Sequence, residues 1–164
     1  MAESEFEGSI EVVRGRLDEQ AEQEILAFWT ANGALQGAAA RERLPQVVCV
    51  ARTAAGAITG VNSIYEAKVA EIANRPFWVY RSFLLPAARS AWMEMLRTAF
   101  RAVEEEFDPA SRDPIGFCIP IEDRAEMRMH PEAEWQDPRI VYAGYDGAGR
   151  QLRIGYFRDA RIDL

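Results

Sequence analysis

Lysine is nearly absent from this chain. Lys68 is the only one, so arginine supplies almost all of the 19 basic residues, set against 26 acidic ones and a net charge of −7. A GC-rich coding bias accounts for this more simply than a chemical demand. The acidic balance excludes a general nucleic-acid binder, whose domain would be basic, although arginines clustered locally could still hold an anion. Long apolar runs are also missing. None approaches the roughly 20 residues that span a bilayer, so neither a membrane nor a nucleic acid is expected as a partner. The opening MAESEFEGSIE is acidic and polar, the reverse of a secretory leader, and a cytoplasmic location is expected. Only two cysteines occur, Cys49 in VVCVA and Cys118 in GFCIP. Both runs are apolar, so the thiols should be buried and reduced. His130 is the only histidine; the three residues make no zinc site, and no metal is expected. Preceding Pro131, His130 reads as a cation at a helix C-terminus rather than part of a nucleophilic triad. The acidic run 104–108 (EEEFD) reads as a solvated helix end.

What is present is an ordinary globular balance, 49% hydrophobic and 27% charged over 164 residues. That length suits a single domain over residues 1–164 with a substantial core. Residues 10–13 (IEVV) read as a first strand. Leu17, Ala21, Ile25 and Trp29 recur at four-residue spacing among Glu and Gln, which predicts an amphipathic helix over 17–29. Gly33 and Gly37 break it, and an irregular second helix follows up to Pro45. Residues 46–53 (QVVCVART) and 59–69 (TGVNSIYEAKV) flank a turn and predict a β-hairpin. Residues 77–85 are apolar on both alternating sets, so this strand should be central. From Pro86 the stripe Trp92, Met95, Leu96, Ala99, Phe100, Val103 and Phe107 predicts one long helix ending near Asp108 and Pro109. A strand over 115–121, a short helix over 122–130 and a hairpin formed by 139–145 and 151–157 complete the chain. The fold class is α/β (α+β), a mixed, largely antiparallel central sheet of about seven strands with helices on both faces.

The stretch FLLPAARSAWMEML (83–96) joins the central strand to the long helix. A strand feeding a helix N-terminus is a common anion site, because the first helical N–H groups point at whatever lies there. Such turns usually contain glycine, and this one has none. The element order and this segment resemble the GNAT acyltransferase superfamily, whose central strand runs into a turn and helix that cradle the CoA pyrophosphate. The resemblance covers residues 10–157, nearly the whole chain. Its signature there is Arg/Gln-x-x-Gly-x-Gly/Ala. Arg89 falls on the signature arginine, while Trp92 and Glu94 replace the first glycine and the second small residue, so the pyrophosphate motif is degenerate. The resemblance implies an N-acyltransferase using CoA or acyl-CoA as co-substrate and a small-molecule amine as acceptor. Phe83, Leu84, Leu85, Arg89, Ser90, Ala91 and Trp92 are its implied CoA-contacting residues.

Acyl transfer to an amine needs a polarised carbonyl, a base for the amine proton and an acid for the leaving thiolate. Main-chain N–H groups around Phe83 to Leu85 would meet the carbonyl. Glu66 on the hairpin strand is the candidate base, with Glu71 just beyond it. Tyr80 and Ser82 share a face of the central strand and are candidates to line the cleft. The short helix over 122–130 lacks the tyrosine that the family often uses as acid. Arg81 interrupts the apolar set Phe77, Val79, Phe83 and Leu85; its guanidinium needs either a structural carboxylate or a substrate anion as partner. Two other readings stay open: an inactive GNAT-fold domain that binds a ligand or partner, and an acyl synthase that depends on an acyl-carrier protein. Such a carrier presents phosphopantetheine without the nucleotide diphosphate, so a degenerate turn would matter less. The closing hairpin and aromatic-rich strands could supply the surface of a homodimer.

Overall fold

The computed structural model describes residues 5–162. Its elements in chain order are β1 (Ser9–Val12), α1 (Glu19–Ala31), α2 (Gly37–Arg43), β2 (Val47–Arg52), β3 (Ile58–Val69), β4 (Arg75–Leu84), α3 (Trp92–Glu106), β5 (Gly116–Ile121), α4 (Arg124–Met129), β6 (Glu134–Trp135), β7 (Ile140–Tyr145) and β8 (Gln151–Tyr156). Hydrogen bonding orders the eight strands β1-β2-β3-β4-β5-β8-β7-β6. β4 and β5 run parallel, whereas β1–β2, β2–β3, β5–β8, β6–β7 and β7–β8 are antiparallel. The eighth strand is β6. Two residues between Pro131 and Pro138 are too few to carry a legible alternation, which is why about seven strands were predicted.

The chain divides into two compact units, one holding residues up to Ile64 with Ser82–Ala99, the other Tyr65–Arg81 with everything from Phe100 on. In the first, Asp18 caps α1 by accepting the Ala21 N–H at 2.8 Å, as an aspartate before an acidic first turn should. α1 then buries Ile25, Phe28 and Trp29 with Ala40, Leu44, Val47, Val50 and Val61; Phe83 and Leu85 pack on this cluster. The Phe28 and Phe83 rings meet edge-on at 5.7 Å. β2 bulges between Val47 and Cys49, where the register to β3 shifts. The long predicted helix is two segments: a 3-10 helix over Pro86–Ala91, then α3 from Trp92. In a 3-10 helix residues three apart eclipse. Ala88 and Ala91 are so placed, and both are buried, at 1% and 0% exposure. Small side chains on one edge let this segment lie close to the interior.

In the second unit Phe77, Val79, Ile115, Cys118, Leu152 and Ile154 form the core with Val69. A second aromatic group joins Phe100, Phe117 and Phe157 at 5.1 to 5.9 Å. The parallel register of β4 and β5 takes in Trp78↔Phe117 and Val79↔Cys118. Arg153 is buried at 2% exposure on β8, with its guanidinium over the Trp135 ring at 4.2 Å. It donates to Gln151 Oε1 at 3.0 Å and to the carbonyls of Glu132 and His130. Burial lowers its pKa. His130 ends α4, its ring edge-on to Trp135 at 5.9 Å. Tyr142, Tyr145 and Tyr156 are exposed, with the first two rings 6.0 Å apart. Among the described residues no helix is long and apolar enough to cross a membrane.

Candidate active site

Proline builds the turn between β4 and α3. Pro86 fixes its own φ and steers the preceding residue toward extended backbone; Leu85 accordingly sits at φ −63°, ψ 152°. The Leu85 N–H donates to Thr59 O at 2.8 Å, and its carbonyl accepts the Ala88 N–H at 2.8 Å. The turn closes when the Trp92 N–H reaches Arg89 O. An α-helix leaves its first four N–H groups open to an anion. Here Pro86 has no N–H, and those of Leu85, Ala88 and Trp92 are committed within the protein. Arg89 and Ser90 present exposed side chains at the turn, and Glu94 is exposed one position beyond Met93.

Trp92 does not stand over the turn. It is 4% exposed and donates its indole N–H to Ser82 Oγ at 3.1 Å. Ser82 and Trp92, picked from the sequence for separate reasons, are thus brought together, and the Ser82 hydroxyl keeps its own proton to donate. Leu84 lies beside Gly60, where an added Cβ would meet Leu84 Cγ at 3.0 Å and Met95 Sδ at 3.2 Å. The missing side chain allows that close approach. β4 therefore ends in a segment pinned by three devices: the Leu85–Thr59 hydrogen bond, the Trp92–Ser82 hydrogen bond and the contact at Gly60.

Among solved structures, the chain is similar to an acetyltransferase of the GNAT family from Listeria monocytogenes, with a TM-score of 0.53 and 14% identity over 95% of this chain and 98% of that one. It is also similar to a protein described as histone acetyltransferase HPA2 and related acetyltransferase from Corynebacterium glutamicum, with a TM-score of 0.52 and 11% identity over 96% of this chain and all of that one. This chain has the GNAT fold. No family model and no curated protein matches its sequence.

The GNAT fold of this chain contains a fourth device that sequence reasoning missed. Asn62, fully buried on β3, accepts the Cys49 N–H on Oδ1 at 2.7 Å and donates Nδ2–H to Met95 O at 3.1 Å. The first bond compensates the ladder at the β2 bulge; the second ties the first turn of α3 to β3. A lone asparagine in the apolar run of residues 58–64 was the available signal. In the second unit, Tyr80 is buried and stacks on Phe117 at 5.9 Å, and Arg81 lies over the Tyr65 ring at 4.2 Å. That ring is a partner of a kind not considered from sequence. Glu66 is exposed in a pocket wall with Lys68 and Arg75. Glu71 falls in the 3-10 turn after β3. Burial pushes both thiols, Cys49 and Cys118, up to about 12, so neither is a nucleophile near neutral pH. Among the described residues no group of three His, Cys, Asp or Glu side chains is placed to hold a metal ion.

Proposed function

We propose that this chain is an acyl-CoA-dependent N-acyltransferase that moves an acyl group from a pantetheine thioester to a small-molecule amine. The observation that carries the reading is the GNAT fold with β4 delivered, through Pro86, to a pinned turn at the start of α3. In this reaction the amine nitrogen forms a bond to the thioester carbon while the carbon–sulfur bond breaks. The amine gives up a proton, and the departing thiolate gains one. Strand alternation turns the Ser82 and Leu84 N–H groups away from the edge on which the Leu85 N–H meets β3. These amides, with the Ser82 hydroxyl held by Trp92, would meet the thioester carbonyl. Glu66 is our candidate for the base, and Tyr80 for a positioning role. Arg89 and Ser90 would face the donor's phosphates.

The turn itself favours a second reading of the donor. With the Leu85, Ala88 and Trp92 amides committed, it offers a diphosphate fewer donors, so a carrier-bound phosphopantetheine thioester would lose less than CoA. Calorimetric titration with acetyl-CoA, longer acyl-CoAs and an acyl-phosphopantetheine separates the readings. Acyl-CoA binding with S82A slowing acyl transfer supports the first. Binding of the phosphopantetheine thioester alone favours the carrier-dependent one. No heat with any thioester removes both and leaves a non-catalytic binding domain.

A further inference from the structure

In the second unit a cavity of about 510 Å³ is lined by Lys68, Arg75, Arg112 and Arg161, with Glu66 and Asp113 as the acids of its wall. Its size lies in the range of small-molecule sites. Four cations against two acids run counter to a chain that carries −7 overall. The only lysine of the protein is among them.

Several arginines elsewhere pair with carboxylates: Arg52 with Glu24 at 2.8 Å, Arg150 with Asp146 at 2.7 Å, Arg139 with Glu134 at 2.8 Å and Arg158 with Glu104 at 3.7 Å. Among the described residues Lys68, Arg112 and Arg161 enter no such ion pair, in a protein with carboxylates to spare. Arg75 is braced by donating Nη2–H to Arg161 O at 3.2 Å. The loop carrying Arg112 is also held: Asp108 Oδ1 accepts the Ala110 N–H at 2.9 Å, and Ser111 Oγ accepts the Asp113 N–H at 3.2 Å. The four cations are therefore presented from a strand, a strand start, a tied loop and the segment after β8. Pro76, Phe107, Pro109 and Ile115 supply apolar wall between them.

Four cations gathered against two carboxylates leave an excess of positive charge in the cavity, and an anion relieves the repulsion among them. Guanidinium groups match the planar oxygens of carboxylate and phosphate. We propose that this cavity, whose wall includes the candidate base Glu66, binds a small organic anion, a carboxylate or phosphate head on an apolar body.

The test uses the full chain without any thioester, so its result does not depend on the acyltransferase reading. Phenyl phosphate, benzoate and neutral benzyl alcohol are titrated while backbone amide shifts are followed by NMR. The expected result is saturable shifts at Lys68, Ser111 and Arg112 with at least one anion, none with benzyl alcohol, and weakening as sodium chloride rises. The exposed pair K68Q/R112Q should weaken binding at least tenfold, whereas R41Q, on α2, should not. Tighter binding of phenyl phosphate assigns a phosphate ligand, and tighter binding of benzoate a carboxylate. No saturation with either anion, or unchanged affinity in K68Q/R112Q, overturns the proposal.

Discussion

At the scale of single residues, Asn62 shows how a buried polar side chain is accommodated when both its oxygen and its nitrogen are hydrogen-bonded. Its amide accepts the Cys49 N–H, which the β2 bulge would otherwise leave orphaned in the interior, and adds a second donor to the Met95 carbonyl of α3. Leaving a buried group unsatisfied costs about 1–3 kcal/mol. Asn62→Ala strands the Cys49 N–H, and the expected loss is about 1–3 kcal/mol, read as a lower urea midpoint at unchanged slope. Asn62→Leu, which fills the space without the bonds, should not recover it. Trp92 makes the complementary case. Opening the turn with Trp92→Gly, to restore the small residue of the GNAT signature, removes a buried indole and should cost about 3–5 kcal/mol. Trp92→Phe keeps most of the packing and loses the bond to Ser82, so its cost should be about 1 kcal/mol. A reversal of that order in thermal or urea unfolding would mean the indole is held by something other than packing.

At the scale of elements, the approach of β3 to the β4 turn depends on Gly60. A methyl there must displace Leu84 and Met95 by a few tenths of an ångström. Gly60→Ala should therefore destabilise by about 1–3 kcal/mol and shift the amide resonances of β4 and α3. The segment after α4 depends on Arg153, which gathers the carbonyls of Glu132 and His130 and the face of Trp135. Trp135 adds its own indole bond to His130 O at 3.2 Å. Arg153→Met removes the donor to the Glu132 carbonyl and leaves His130 O with the Trp135 indole. Amide hydrogen exchange should speed up between residues 130 and 135 and at β6, with little change at α1. Equal acceleration in both places would mean that Arg153 supports the fold generally.

At the scale of the whole molecule, the two buried thiols give the protein a high-pH liability. Burial raises each from its ordinary value of 9.0 to about 12. Above the unfolded value, the unfolded chain sheds the proton while the folded protein retains it, so the folded state loses ground. The thiol contribution to stability is complete below pH 9 and lost as pH climbs toward about 12. A Cys49→Ala, Cys118→Ala variant should show a shallower fall of stability over that window. In the unaltered protein both thiols should resist alkylation at pH 8 and react fully in denaturant.

Local pattern was enough for most of the GNAT fold. The four-residue spacing of Leu17, Ala21, Ile25 and Trp29 and the two-sided apolarity of residues 77–85 determined a helix and a buried strand by themselves, because burial imposes periods of 3.6 and 2 on a chain. The proline of residue 86 likewise determined where the strand must end. Tertiary structure decided the rest. Whether Trp92 covers the turn or fills the interior, whether Asn62 is stranded or doubly bonded, and which arginines lack a carboxylate depend on groups distant in sequence. Ser82, Met95, Cys49 and Arg161 meet their partners only once the backbone has brought them within hydrogen-bonding distance, and no periodicity encodes that.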